Sequence, residues 1–141
     1  MSKTALANQL KIGEVARLSG LSVKTIRYYE DIGLLAPTVE RSLSGYRLFD
    51  PQVIKRLTFI KRAQSLGLSL EEIKPLLLRH DQGELPCPDL KQQLQTKIQA
   101  IASQIEVLRT DQTELQAIIE LWQDLPSNHH LSQTICPNIQ S

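Results

Sequence analysis

Four side chains have the chemistry and the spacing to take a soft ion: Cys87, Cys136 and the adjacent pair His129 and His130. Thiolate sulfur and imidazole nitrogen are the donors that thiophilic and borderline divalent metals prefer. Two cysteines can also exchange into a reversible disulfide. Cys87 lies in Pro86-Cys87-Pro88-Asp89, and Pro88 suits the first turn of a helix. Cys87 then stands near an N-cap, where free backbone N–H groups favour a thiolate. His129, His130 and Cys136 fall in a polar loop between Pro126 and Pro137. The bland alternatives stay open at this level: a single cysteine is often an inert buried thiol, and histidines in a loop or turn, His80 among them, are often solvated surface.

The element between the two cysteines has to position them. From Leu90 to Trp122, Leu94, Ile98, Ile101, Ile105, Leu108, Gln112, Leu115, Ile119 and Trp122 follow one another at steps of four and three, with no proline or glycine inside. All but Gln112 are apolar, which is a coiled-coil seam. Such a stripe needs a partner of equal length, and the expected partner is the same helix of a second copy, a homodimer. Gln112 fits a device that fixes register.

The chain has 141 residues, 41% of them apolar. That is room for one small domain and an extended element, not for a large enzyme with a deep pocket. No nucleophile, base and orienting group recur at a recognisable spacing, so an enzyme is not expected. Residues 1–74 carry twelve Lys and Arg against seven Asp and Glu, net +5, and residues 75–141 carry four against eight, net −4. A basic front and an acidic back point to different partners. No apolar run approaches the roughly 20 residues that span a bilayer, and the first nine residues lack a signal-peptide core. The expectation is a cytoplasmic protein with no membrane partner, its thiols in a reducing compartment.

The basic half reads as a helix pair. Ile12, Val15, Ala16 and Leu18 make an apolar face that stops at Gly20. Ser22 offers an N-cap to a second helix carrying Val23, Ile26 and Tyr29 and ending at Gly33. This is a helix-turn-helix pattern whose second helix presents Lys24, Thr25, Arg27 and Tyr28 to phosphates or base edges in a major groove. The stretch 34–50 contains Pro37, Ser42, Ser44 and Gly45 before the alternating Tyr46-Arg47-Leu48-Phe49, a hairpin wing that projects Arg41, Tyr46 and Arg47. Asp50-Pro51 opens a helix through Ala63 that Lys55, Arg56, Lys61 and Arg62 make basic, and Ser69-Leu70-Glu71-Glu72 has capping-box spacing for the next, in which Pro75 allows a kink.

Taken together, Ile12-Gly13-Glu14-Val15-Ala16, Thr25-Ile26-Arg27-Tyr28-Tyr29-Glu30, Gly33-Leu34-Leu35, Gly45-Tyr46-Arg47-Leu48-Phe49 and the run from Ala63 to Ile73 resemble the MerR family of bacterial transcription regulators over roughly residues 10 to 122. The resemblance implies a mainly α fold: a winged helix-turn-helix DNA-binding head, a long antiparallel coiled-coil dimerisation helix and a short C-terminal loop. The expected divisions are a tail over 1–9, the DNA-binding domain over 10–82, an effector-site hinge and dimerisation helix over 83–123 and an effector-binding loop over 124–141. By analogy Arg27, Tyr28, Tyr46 and Arg47 contact DNA, with Lys61 as a further phosphate contact. Family members bind a pseudo-palindromic promoter, and the effector-bound dimer distorts it so that RNA polymerase can use it.

Antiparallel pairing brings Cys87 of one subunit to His129, His130 and Cys136 of the other. The metal-responsive branch of the family likewise uses a cysteine before the dimerisation helix and one in a C-terminal Cys-Pro pair. Those sensors usually carry a further cysteine near Gln123 or Asp124, which this chain lacks. Copper(I) therefore fits less well than a thiophilic divalent ion, either mercury(II) on two thiolates or zinc(II) on Cys and His with Asp124. The competing expectation on the same scaffold is a thiol redox sensor closing a Cys87-Cys136 disulfide between subunits. An organic-ligand regulator is disfavoured, since only 19 residues follow Trp122.

Overall fold

A computed structural model describes residues 8–127 and 134–140, which fall into two compact units divided after Leu90. The first unit runs β1 (Leu10–Lys11), α1 (Ile12–Ser19), α2 (Val23–Asp31), a short 3-10 turn (Ala36–Thr38), β2 (Val39–Arg41), β3 (Arg47–Phe49), α3 (Val53–Ser65) and α4 (Leu70–Asp81). The expected mainly α, winged architecture is present.

Local chemistry sets the ends of the two leading helices. Glu14 accepts from the Lys11 N–H at 3.1 Å at the start of α1. Gly20 ends it with φ 75°, a left-handed turn that only glycine adopts without strain, its N–H donating to the Ala16 carbonyl. Ser22 caps α2 by accepting from the Thr25 N–H at 3.0 Å. Val15, Ile26 and Tyr29 bury the faces between them.

The wing is a three-stranded antiparallel sheet in the order β1-β3-β2, with Phe49 opposite both Leu10 and Val39. Phe49 is fully buried, so the sheet is anchored in the helical core. Strand β1 is a departure from the sequence reading. Two residues are too short to show an alternating period, and the pairing that makes them a strand comes from a segment nearly forty positions away.

Asp50 does not open α3 directly. Its carboxylate accepts from the Gln52 N–H at 2.8 Å and caps a turn, and the helix begins at Val53. Val53, Leu57, Ile60 and Ala63 of α3 pack with Ile73, Leu76 and Leu77 of α4 and with Leu34, Leu35 and Leu68 in one core. Ser69 and Glu72 form the expected capping box, and α4 continues through the exposed Pro75.

Arg56, counted above among the basic residues of a helix surface, is buried. Its Nε donates to the Leu34 carbonyl at 2.5 Å, and its two terminal nitrogens donate to the Asp81 carboxylate at 2.6 and 2.9 Å. The periodicity of α3 places this position between two apolar faces, where a charge is tolerated only because it is fully paired.

The second unit, from Lys91, is built on the greater part of α5 (Cys87–Glu120), none of whose residues is buried. Ile98, Ile101, Ile105, Leu108, Leu115, Ile119 and Trp122 are all exposed. Beyond the helix, Asn138 pins the loop end back by accepting from the Gln123 N–H at 2.8 Å and donating to the Gln123 carbonyl at 2.9 Å. No helix among the described residues is long and apolar enough to cross a membrane.

Candidate functional site

Two surfaces carry the candidate functional side chains, and the first is the face of α2 and the wing. Lys24, Arg27 and Tyr28 are exposed on α2, with Tyr28 53% accessible although it is an aromatic residue. Ile26 and Tyr29, on the opposite side of the same helix, hold it to the core, so the helical period itself turns Arg27 and Tyr28 outward. Thr25 is half-buried, its N–H and hydroxyl both engaged with Ser22.

Tyr29 donates its hydroxyl to Gln64 Oε1 at 2.8 Å, which fastens α2 to α3. Burial pushes its ionisation above the ordinary tyrosine range.

The wing residues are tied to the fold more than their residue types suggest. Arg47 lies against Glu30 at 2.5 Å and Asp31 at 3.4 Å, so its guanidinium braces β3 to the last turn of α2. Arg41 donates to the Gly45 carbonyl at 2.8 Å and shapes the wing turn. Tyr46 is exposed with the Lys11 ammonium 5.4 Å from its ring centre. Lys61 donates to the Ser19 carbonyl at 2.9 Å and Lys74 to the Ile32 carbonyl at 3.1 Å, so each closes the C-terminal end of one helix of the pair. Sequence reasoning had no signal for these five uses, since each pairing joins positions whose meeting depends on the tertiary fold or the wing turn.

The second surface surrounds Cys87. This thiol is free and exposed at the first position of α5, beside a cleft of about 460 Å³ whose walls include Phe59, Leu76, Leu77, His80 and Pro86. His80 therefore faces the same space as Cys87, a neighbourhood its place in the turn did not reveal. Arg79 fixes the junction by bonding Glu84 at 2.9 Å and Asp89 at 2.5 Å. The hydrogen bond that Arg79 donates to Asp89, followed by the charges of Asp89 and Glu84, holds the Arg79 proton more firmly than usual.

Cys136, the other free thiol, is half-buried in the loop end. Gln140 Oε1 accepts from the Thr134 hydroxyl and from the N–H groups of Ile135 and Cys136 at 2.6–2.7 Å, which gives that backbone a defined turn. Trp122, Asp124, Pro126 and Pro137 share a smaller hollow of about 290 Å³ with Cys136. His129 and His130 lie outside the described residues.

Among the described residues no three His, Cys, Asp or Glu side chains gather to hold a metal ion. What the donor set offers is one thiol at each of two organised ends. Two thiolates suit a linear thiophilic ion, and a tetrahedral one needs nitrogen or oxygen donors besides.

Comparison with known proteins places both surfaces in context. Residues 10–79 match the family described as MerR HTH family regulatory protein, and residues 54–130 match the family described as MerR, DNA binding. The chain is 38% identical to the mercuric resistance operon regulatory protein of Bacillus cereus, over 94% of this chain and 96% of that protein. Its fold is similar to that of the transcription regulator PbrR691 of Ralstonia metallidurans CH34, solved in complex with lead(II), with a TM-score of 0.70 and 31% identity over 85% of this chain and 93% of that one. It is also similar to the dual-function regulator MerR of Bacillus megaterium MB1, solved with mercury(II), with a TM-score of 0.56 and 33% identity over 82% and 88% of the two chains.

Proposed function

The chain belongs to the MerR family of helix-turn-helix transcription regulators, on its metal-responsive branch, and from that premise we propose that it is a homodimeric activator switched by a thiophilic divalent ion. The two heads bind a pseudo-palindromic promoter through Lys24, Thr25, Arg27 and Tyr28 in the major groove and Tyr46 against the backbone, while Arg41, Arg47 and Lys61, expected from the sequence to meet DNA, serve to hold the wing and the helix pair in place. The seams of two α5 helices pair antiparallel. Cys87 of one subunit and Cys136 of the partner subunit then share an ion that neither end holds alone.

The observation that carries this reading is the placement of the two thiols. Cys87 stands at the first turn of α5, and Cys136 lies on a turn organised by Gln140 beside the Asn138 bonds to Gln123. Mercury(II) needs no donor beyond two thiolates, whereas zinc(II) draws on His129, His130 and Asp124 as well. Relatives named for mercuric resistance and solved with mercury(II) support the first choice. Copper(I) remains the poorer fit for this donor set.

The bound ion acts by differential affinity: it favours the dimer geometry that bends and untwists the promoter into a form RNA polymerase can use, against a deformation cost of order 1–6 kcal/mol. Native mass spectrometry of the dimer titrated with zinc(II), mercury(II) and copper(I) tests the proposal. One divalent ion per thiol pair is expected, and it disappears in Cys87→Ser and in Cys136→Ser. A Cys87→Ser dimer that binds the ion unchanged would sink the site. A redox switch instead predicts response to peroxide and indifference to metal.

A further inference from the structure

We propose that Arg56 is the positioning residue that couples the α4–α5 junction to the recognition helix, an inference that rests on the reading of Cys87 as an effector ligand. Its side chain is 6% exposed and sits where three segments meet through its own bonds. The two terminal nitrogens grip Asp81, the last residue of α4, at 2.6 and 2.9 Å, and Nε grips the Leu34 carbonyl at 2.5 Å. Leu34 is itself part of the α2 ending: its N–H donates to the Tyr29 carbonyl at 2.9 Å, one residue after the left-handed Gly33. One guanidinium therefore joins α3, the end of α4 and the end of α2.

On the other flank, Arg79 of α4 bonds Glu84 and Asp89, which brackets Cys87 from both sides in sequence. A continuous path runs from Asp89 through Arg79 and α4 to Asp81, Arg56 and Leu34. Its members differ in stiffness. The Arg79 pairs are half exposed and screened by water. In the Arg56 pair the guanidinium is buried and only the Asp81 carboxylate reaches water, so α4 cannot slide along α3 without stranding a buried charge, and the two helices and the end of α2 move as one body. Displacement of the first turn of α5 is then delivered to Arg27 and Tyr28 rather than absorbed between helices. Only a planar fork of donors fits this geometry; a lysine ammonium cannot span Asp81 and Leu34 together.

The test uses the full dimer and a promoter fragment recovered by selection with the purified protein. Two variants are compared, Arg56→Lys and the double change Arg56→Met with Asp81→Leu, which removes both charges and strands neither. Four readouts are taken: thermal unfolding, operator affinity without metal, mercury(II) affinity against a competing small thiol, and mercury(II)-dependent transcription. In both variants the two affinities are expected within about threefold of the unsubstituted protein, with cooperative unfolding retained, while induction falls by about tenfold, within the usual range of coupling between sites. Normal induction in the double variant, or full rescue by lysine, would overturn the proposal. So would a loss of operator affinity in parallel with a lowered melting temperature, which marks a merely structural role. An unsubstituted dimer that binds mercury(II) without any transcriptional response overturns the metal reading itself, and this inference with it.

Discussion

Arg27 and Arg47 have the same side chain and different tasks. Arg27 projects from α2 into solvent, while Arg47 is spent on Glu30 and Asp31 and holds the wing in place. Arg27→Ala is therefore expected to weaken operator binding with or without metal by about 1–3 kcal/mol if it reads a base, or to lower the salt slope of binding by about one if it meets a phosphate. Electrophoretic titration across salt concentrations checks it, and unchanged binding at every salt would contradict the assignment. Tyr29 belongs to stability. Because burial raises its ionisation above the ordinary value near 10, the folded state keeps a proton that the unfolded chain gives up. Its contribution is complete below pH 10 and is lost as pH climbs through the raised value. Denaturant midpoints of the unsubstituted protein and Tyr29→Phe measured from pH 8 to 11 should converge at the alkaline end, after a gap at neutral pH of about 0.5–1.5 kcal/mol for the lost bond to Gln64.

At the scale of elements, α5 is the plainest case of local legibility. A seam at steps of four and three over the 29 residues from Leu94 to Trp122 has one consistent helical solution, and α5 takes it from Cys87 to Glu120, two residues short of Trp122. Among the described residues its apolar stripe is exposed, with Ile105 43% and Ile119 65% accessible. Ile105→Asp should therefore separate the dimer while leaving the heads folded; sedimentation of the variant as a stable dimer would contradict the seam. The caps at Ser22, Gly20 and Ser69 were equally readable, since each needs only residues within three or four positions. Strand β1 and the start of α3 were not, because β1 exists only through its pairing with β3, and Asp50 bonds a turn rather than the helix.

For the molecule as a whole, a basic head and an acidic helical half match a division between DNA and dimer, and the proposed switch has to join them. Removing metal with a strong thiol chelator should abolish activation and leave operator binding within about threefold, whereas peroxide should change neither; transcription and binding measured on the same dimer distinguish this from a disulfide switch. The sequence alone determined the helix pair, the wing, the seam and the two cysteines at its ends, because periodicity, capping and residue type act over a few neighbouring positions. Tertiary structure decided which charges are available for work. Arg56, Lys61, Lys74 and Arg47 look alike in the sequence as surface cations, yet folding gives each a partner seventeen to forty-two residues away. A long cationic side chain finds its acceptor only once the backbone has brought distant segments together, so no local pattern announces it.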